Sequence, residues 1–400
     1  MEIEPRYRRV TRWGQTNLTE IDALDYDSDF WCTYWRETKI GGVIVNAGGI
    51  IAYYPSKYTL HNRATFLNDR DLFGEICQAA REEGLAIVAR MDSNRAGEEF
   101  YRAHPDWFCQ DQNGEAIRAG GRYVACVNGP YYREWIPRIL AEIIEREKPD
   151  GFADNSWSGL ARNRICFCDA CRETFGEPLP QKQDWEDATY RRWITWNYAR
   201  RVEIWEQNNA LTREGGGEHC LWLGMVSADP HGASHTFRDM REIARRTPFL
   251  LLDAQFREDG GLFARNAENG DRWHELAGSD VPIAESMAQY QGVIPTFRRT
   301  AQSPPEARLW MESGIAGGLL PWWHHVGAKQ NDRRQFQTPT QIFAWHADNE
   351  EYLVGRESLA TVAVVWSQKN IDFHGRDLAR ERVMAPLRGA CDALIRARIP

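Results

Sequence analysis

The chain has 400 residues, 42% of them apolar, and a formal net charge of −8. That charge, with no Lys/Arg-rich run, argues against nucleic acid as the main partner, and no stretch of about 18 apolar residues offers a membrane span. The opening Met1-Glu-Ile-Glu-Pro lacks the basic and apolar regions of a signal peptide, and nine cysteines, three of them within six positions, fit a reducing compartment and a metal site better than a disulfide framework, so the expected location is cytoplasmic.

In chain order, residues 42–47 read as a short apolar strand, 71–84 as a helix ending at a glycine, and 85–90 as a strand leading to Met91-Asp92. Residues 131–147 read as a helix and 151–153 as a buried strand. A long helix follows over 187–211, a strand over 220–226, a helix over 237–246 and a strand over 249–253. Residues 281–284 form a strand, 305–317 a helix and 318–323 a strand. Strands separated by helices imply βαβ units and parallel pairing. Seven or eight such repeats, without a Gly-rich phosphate cradle, favour an α/β fold of the (β/α)8 TIM-barrel type over a doubly wound nucleotide fold. Composition changes near Glu357. The expected division is a catalytic barrel over 1–355, then a partial α/β domain over 359–400 with a strand at 361–366 and a helix at 379–397.

Functional groups of a parallel barrel gather at the C-terminal ends of its strands. Those ends carry Asn46, Asp92, Asn128, Asp154 with Asn155, Ser227 with Asp229, Asp253 with Gln255, Glu285, and His324 with His325. Two carboxylates across a cleft are the minimum for glycoside cleavage, one protonating the leaving oxygen and the other attacking C1 or activating water. Asp154 and Glu285, on strands roughly four and seven, are the expected catalytic pair, against the plainer roles of helix cap and salt-bridge partner. Asn46, Tyr54, Arg90, Asp92, Asn128, Asn155, Trp157, Asp253, Trp323, His324 and His325 are the expected substrate-binding residues. The 17 tryptophans supply flat faces on which sugar rings stack. Trp13, Gln15, Asn17 and Tyr53 have the same polar-aromatic character, whereas Glu312 sits in a helical pattern that suits a surface role.

Cys166, Cys168 and Cys171 offer three thiolates, and a structural zinc takes four ligands. The fourth is either Cys126 or Cys109, with Cys126 on the strand end nearer to Asp154. No His-rich open coordination accompanies them, so the expected role is a structural zinc clip with no cofactor in catalysis. Free, partly buried thiols are the alternative.

Several segments together resemble a known group. Arg12-Trp-Gly-Gln-Thr-Asn-Leu-Thr-Glu20, Tyr54-Pro-Ser-Lys57, Asp71-Leu-Phe-Gly-Glu75, Ala89-Arg-Met-Asp92, His104-Pro-Asp-Trp107 and Cys126-Val-Asn-Gly-Pro-Tyr131 are similar to the hypothetical glycosyl hydrolase 6 group. That group is linked to α-L-fucosidases and related to the family 42 β-galactosidases. The resemblance implies a retaining glycosidase barrel over about residues 10–355. It also implies Cys126, Cys166, Cys168 and Cys171 as zinc ligands, and residues 359–400 as the start of a trimerisation domain that would make a homo-oligomer. Family 42 carries Asn-Glu at its fourth strand as acid/base, where this chain has Asp154-Asn155. Glu285 matches the family 42 nucleophile, while the fucosidase-like pattern makes Asp154 the nucleophile. The expected substrate is an oligosaccharide or glycoside, with a terminal α-L-fucoside preferred. A β-galactosidase and a non-catalytic carbohydrate-binding barrel are the alternatives.

Overall fold

The computed structural model describes residues 4–258, 260–292, 296–329 and 332–399; Met1–Ile3, at the head of the segment examined for a leader, lie outside them. Eight parallel staves close into a barrel. They are β1 Trp13–Asn17, β2 Gly42–Gly49, β3 Ala86–Asp92, β4 Gly151–Asp154, β5 Leu221–Gly224, β6 Leu250–Asp253, β7 Ile283–Ala288 and β8 Leu320–Val326. Stave β5 resumes after Met225 as Val226–Ser227. Its first part pairs with β4 and the continuation pairs with β6, so the break at Met225 turns the strand between two neighbours and closes the sheet. β1 pairs with both β2 and β8, which closes the other side.

A helix follows each stave: α1 Ser28–Glu37, α2 Leu72–Glu82, α3 Ile136–Glu147, α4 Ala188–Gly216, α5 Met240–Ala244, α6 Ala264–Ala277, α7 Pro304–Ala316 and α8 Arg334–Asp348. Aspartates start four of them. The side chains of Asp27, Asp71, Asp187 and Asp239 accept from free backbone N–H groups in the first turns of α1, α2, α4 and α5. In α3, Ile136, Ile139, Leu140, Ile143 and Ile144 repeat at helical spacing and are buried, which lays the helix on the sheet.

β1 and helices α1, α6 and α8 were not read from the sequence. β1 has the sequence Trp-Gly-Gln-Thr-Asn, too polar to stand out as a buried strand. Its polar residues are accommodated because they line the barrel mouth.

Two excursions leave the barrel on one side. Residues 93–130 hold a small antiparallel sheet (Arg95–Ala96, Arg118–Ala119, Arg122–Val124), and residues 155–187 hold the cysteine-rich loop. They share a second apolar core with the first turns of α4, where Tyr190, Trp193 and Ile194 are buried. Among the described residues no helix is long and apolar enough to cross a membrane.

The expected strand at 361–366 is not formed. Those residues pair with no strand, and Leu359 and Val365 are 86% and 93% exposed. A strand needs a partner strand to build its ladder, and among the described strands none pairs with this segment, although Trp366 packs against the barrel core. The tail helix forms as α9, Ala385–Ala397.

Candidate functional site at the barrel mouth

Strand alternation decides which polar side chains meet. Paired residues of neighbouring strands share a face, so the inner face can be traced across the sheet. Asn46 is level with Arg90, Gln15 with His324, and Asp253 with Ser286. These residues and Asp92 project inward at the C-terminal end.

On the β3–β4 side, Arg90 forms an ion pair with Asp92. Asp92 Oδ1 also accepts from Asn155 Nδ2 at 3.3 Å and from Ser156 Oγ at 3.1 Å. On the β6–β7 side, Gln255 Nε2 donates to Asp253 Oδ1 at 2.7 Å, and Tyr290 donates its hydroxyl to Gln255. The Tyr290 ring packs edge-on against His324, whose Nδ1 meets Ser286 Oγ at 3.0 Å. Burial and the Arg90 charge hold His324 well below the usual histidine range, so it is neutral at pH 7. Asn46 Oδ1 holds the chain after β1 by accepting from Leu18 N–H at 2.9 Å. Among the described residues, the buried atoms Gln15 Oε1, Arg90 Nε and His324 Nε2 have no hydrogen-bond partner here. Buried polar atoms are normally satisfied, so a ring of unpaired ones marks a place for a polar ligand.

Asp154 and Glu285 are not brought together in this mouth. Asp154 is level with Met91 and Gly224 on the outer face. It is fully buried and accepts from Ser93 Oγ, while Oδ1 has no partner. Burial, partly offset by the Ser93 hydrogen bond, pushes its carboxyl up to about 7. Glu285 lies between β7 and the helices outside it. A β-carbon added at Gly314 of α7 would sit 3.1 Å from Glu285 Oε2 and 2.6 Å from Asn266 Nδ2 of α6. Asn266 is its nearest polar neighbour, but that amide already donates to Trp310 O at 2.9 Å. Burial raises the Glu285 carboxyl well above the usual range, which favours its neutral form.

Other expected sugar contacts also lie behind the sheet. Tyr54 donates to Glu142 of α3 at 2.9 Å. Trp157 donates to Met225 O and packs edge-on against Trp205 and Trp222. Trp323 donates to Thr38 Oγ1 and packs against Trp31 and Tyr34 of α1. His325 sits between Tyr34 and Gln335 of α8, at 3.2 Å from each. Asn128 belongs to the cysteine lobe, with Nδ2 donating to Cys171 Sγ at 3.3 Å. Ser286 and Tyr290 were missed by the sequence reading. The available signal was the two-residue period of β7, on which Glu285 and Ser286 must face opposite ways.

A cleft of about 560 Å³ opens beside Asp253 and Gln255 and runs under Met384 and α9, where Arg388, Asp392 and Arg396 recur at helical spacing as one wall. Arg388 lies 3.6 Å from both Asp229 and Glu258, and Arg265 bridges to Asp392 at 2.7 Å.

Cys126, Cys166, Cys168 and Cys171 converge with all four sulfurs within 4.8 Å of one another. Neighbouring sulfurs approach to 3.4 Å, too far for a disulfide and near the roughly 3.8 Å edge of a tetrahedron with bonds of about 2.3 Å. The group fits a tetrahedral metal ion. Of the two sequence candidates for the fourth ligand, Cys126 takes the place; Cys109 is turned toward Ala125 O at 3.5 Å.

With this geometry in hand, comparison with known proteins is informative. Residues 31–156 match the family described as hypothetical glycosyl hydrolase 6. A β-galactosidase of Thermus thermophilus is 28% identical over 129 residues, covering 31% of this chain and 19% of that protein. The α-L-fucosidase isoenzyme 2 of Paenibacillus thiaminolyticus shares the fold with a TM-score of 0.70 at 15% identity, over 89% of this chain and 52% of the other. A β-galactosidase of Bacillus circulans sp. alkalophilus follows at 0.68 and 13% identity, over 92% and 60%. The barrel is a TIM barrel, the fold of both of these solved structures. The matched segment spans about a fifth of the length of the Thermus relative.

Proposed function

We propose that this barrel is a glycoside hydrolase that works at the mouth formed by β3, β4, β6, β7 and β8. The observation that carries the reading is the pair of inward carboxylates on well-separated staves. Asp92 closes β3 and Asp253 closes β6, with neutral His324 and unpaired Gln15 and Arg90 atoms between them. Asp92 is held in place by an arginine and two further donors, a fixed position that suits a nucleophile or charge stabiliser. Among the described residues Asp253 accepts from Gln255, and it borders the open cleft, a position suited to the acid that protonates a leaving oxygen. Asp154 and Glu285, which the family resemblance favoured, then support the strand–helix layer rather than the reaction.

The family resemblance puts a terminal α-L-fucoside first and a β-galactoside next, and the sequence relatives, which are β-galactosidases, support the second. Release of nitrophenol from a panel of nitrophenyl glycosides tests both the activity and the sugar. A second reading is a barrel that holds sugar without cleaving it, and the observation for it is that Asn155, an amide, occupies the inward place at the end of β4. Tight binding of a monosaccharide with no release from any glycoside would select that reading.

A further inference from the structure

Arg201 lies on α4 and is 2% exposed. Among the described residues no carboxylate lies within ion-pair distance of it. Its donors go to Ser158 O at 3.0 Å, Leu160 O at 3.1 Å, and Asn197 Oδ1 at 2.7 Å and O at 3.4 Å. Its guanidinium lies over the Phe237 ring. A buried charge without a counter-ion costs several kcal/mol, so the location of the compensating negative charge is a physical question.

The answer lies in the neighbouring cavity. Arg201 lines a space of about 20 Å³ together with Cys126, Cys166 and Cys171, which is roughly the room of a single small occupant. Four thiolates around one divalent metal carry a net charge of −2. Arg200, one residue earlier on α4, is also buried and donates to Val127 O at 2.9 Å, beside Cys126; its Nη2 has no partner. Among the described residues it pairs with Glu203, which is largely exposed. The two arginines thus bring +2 to the side of the thiols.

We propose that Arg201 is the counter-ion of a metal–tetrathiolate cluster formed by Cys126, Cys166, Cys168 and Cys171, and that it couples this cluster to the loop after β4. The coupling runs through hydrogen bonds already described. Arg201 clamps the carbonyls of Ser158 and Leu160, and the same loop begins with Asn155 and Ser156, which hold Asp92. Arg201 bonds the carbonyls of this loop, so it is a positioning residue. The inference concerns metal retention and loop order, so it stands apart from the sugar chemistry.

The test compares zinc retention under graded chelator, the thiolate absorption of the Co2+-loaded protein, and proteolysis of the loop over residues 155–162. Wild type is set beside Arg201→Met and Arg201→Lys. Loss of a group that supports a metal's ligands costs roughly 10–100-fold in metal affinity. Arg201→Met is expected to lose zinc within that range. Arg201→Lys, which keeps the charge but not the planar fork, is expected to hold zinc better than Met while its loop is cut faster than wild type. Stripping metal from the wild type is expected to expose the same loop. Folded Arg201→Met with wild-type zinc retention overturns the counter-ion role, as does a wild-type protein that takes up neither Zn2+ nor Co2+. If Arg201→Met does not fold, Arg201→Lys decides: zinc loss equal to that of Cys126→Ser overturns it. A wild-type loop that stays protected after metal removal overturns the coupling.

Discussion

Asp154 and Asn155 are adjacent in the chain and face opposite sides of the end of β4. Asp154 meets Ser93 behind the sheet, whereas Asn155 donates to Asp92 in the mouth. The step of one residue moves the carboxylate out of the site and puts an amide into it, because successive side chains of a strand point to opposite faces. Glu285 and Ser286 repeat the relationship on β7, with Ser286 turned to His324.

This relationship separates two pairs of acids in a single experiment. Asp92→Asn and Asp253→Asn are each expected to reduce kcat by roughly 10²–10⁴-fold on the best aryl glycoside. Asp154→Asn and Glu285→Gln are expected to leave turnover near the wild-type rate. The reverse pattern would return catalysis to the outer pair.

The outer pair should appear in the pH dependence of stability instead. Burial raises both folded carboxyls, so the folded chain keeps protons that the unfolded chain releases. Their stabilising contribution is complete below about pH 4, where the unfolded carboxyls are also protonated. It declines as the pH rises, through about 7 for Asp154 and through the raised value of Glu285. Glu285→Gln cannot ionise, so thermal melts from pH 4 to 9 should show the variant gaining on wild type as the pH rises. A constant difference across that range would refute the upward shift of the Glu285 carboxyl.

Gly314 is the point where α7 meets Glu285. A methyl group there would sit 2.6 Å from Asn266 Nδ2 and 2.7 Å from Met287 Cε. Gly314→Ala is therefore expected to destabilise the barrel by about 1–3 kcal/mol through overpacking, read by urea denaturation. An unchanged midpoint would mean that the layer is looser than described.

Metal removal offers a fourth test. The thiol lobe has its own apolar core around Cys126 and Trp193. Chelation is expected to lower the melting temperature and to loosen this lobe first, because a structural metal contributes directly to folding. Hydrogen exchange that slows or stays constant in residues 160–175 after chelation would contradict this.

The tail supplies a control. Val365 is 93% exposed and in no sheet, so Val365→Lys should alter the stability of the barrel by no more than about 0.5 kcal/mol. A larger loss would show that the Val365 side chain itself packs on the barrel.

The alternation of apolar runs with helical patterns was enough to reveal a (β/α)8 barrel, because burying both faces of a parallel sheet demands continuous apolar strands between amphipathic helices. Cys166, Cys168 and Cys171 were legible as a metal group for a similar reason, since close spacing alone brings their thiols together. The composition of the strand ends also identified Arg90, Asp92, Asn155, Asp253 and His324 as polar groups near one rim. Whether each pointed into the rim or behind it was decided only by tertiary structure. Strand register depends on pairing between segments tens or hundreds of residues apart, and a shift of one residue exchanges the two faces. That is why Asp154, Glu285, Trp157, Trp323 and His325 lie behind the sheet, and why β1, too polar to read as a strand, contributes Gln15 to the mouth.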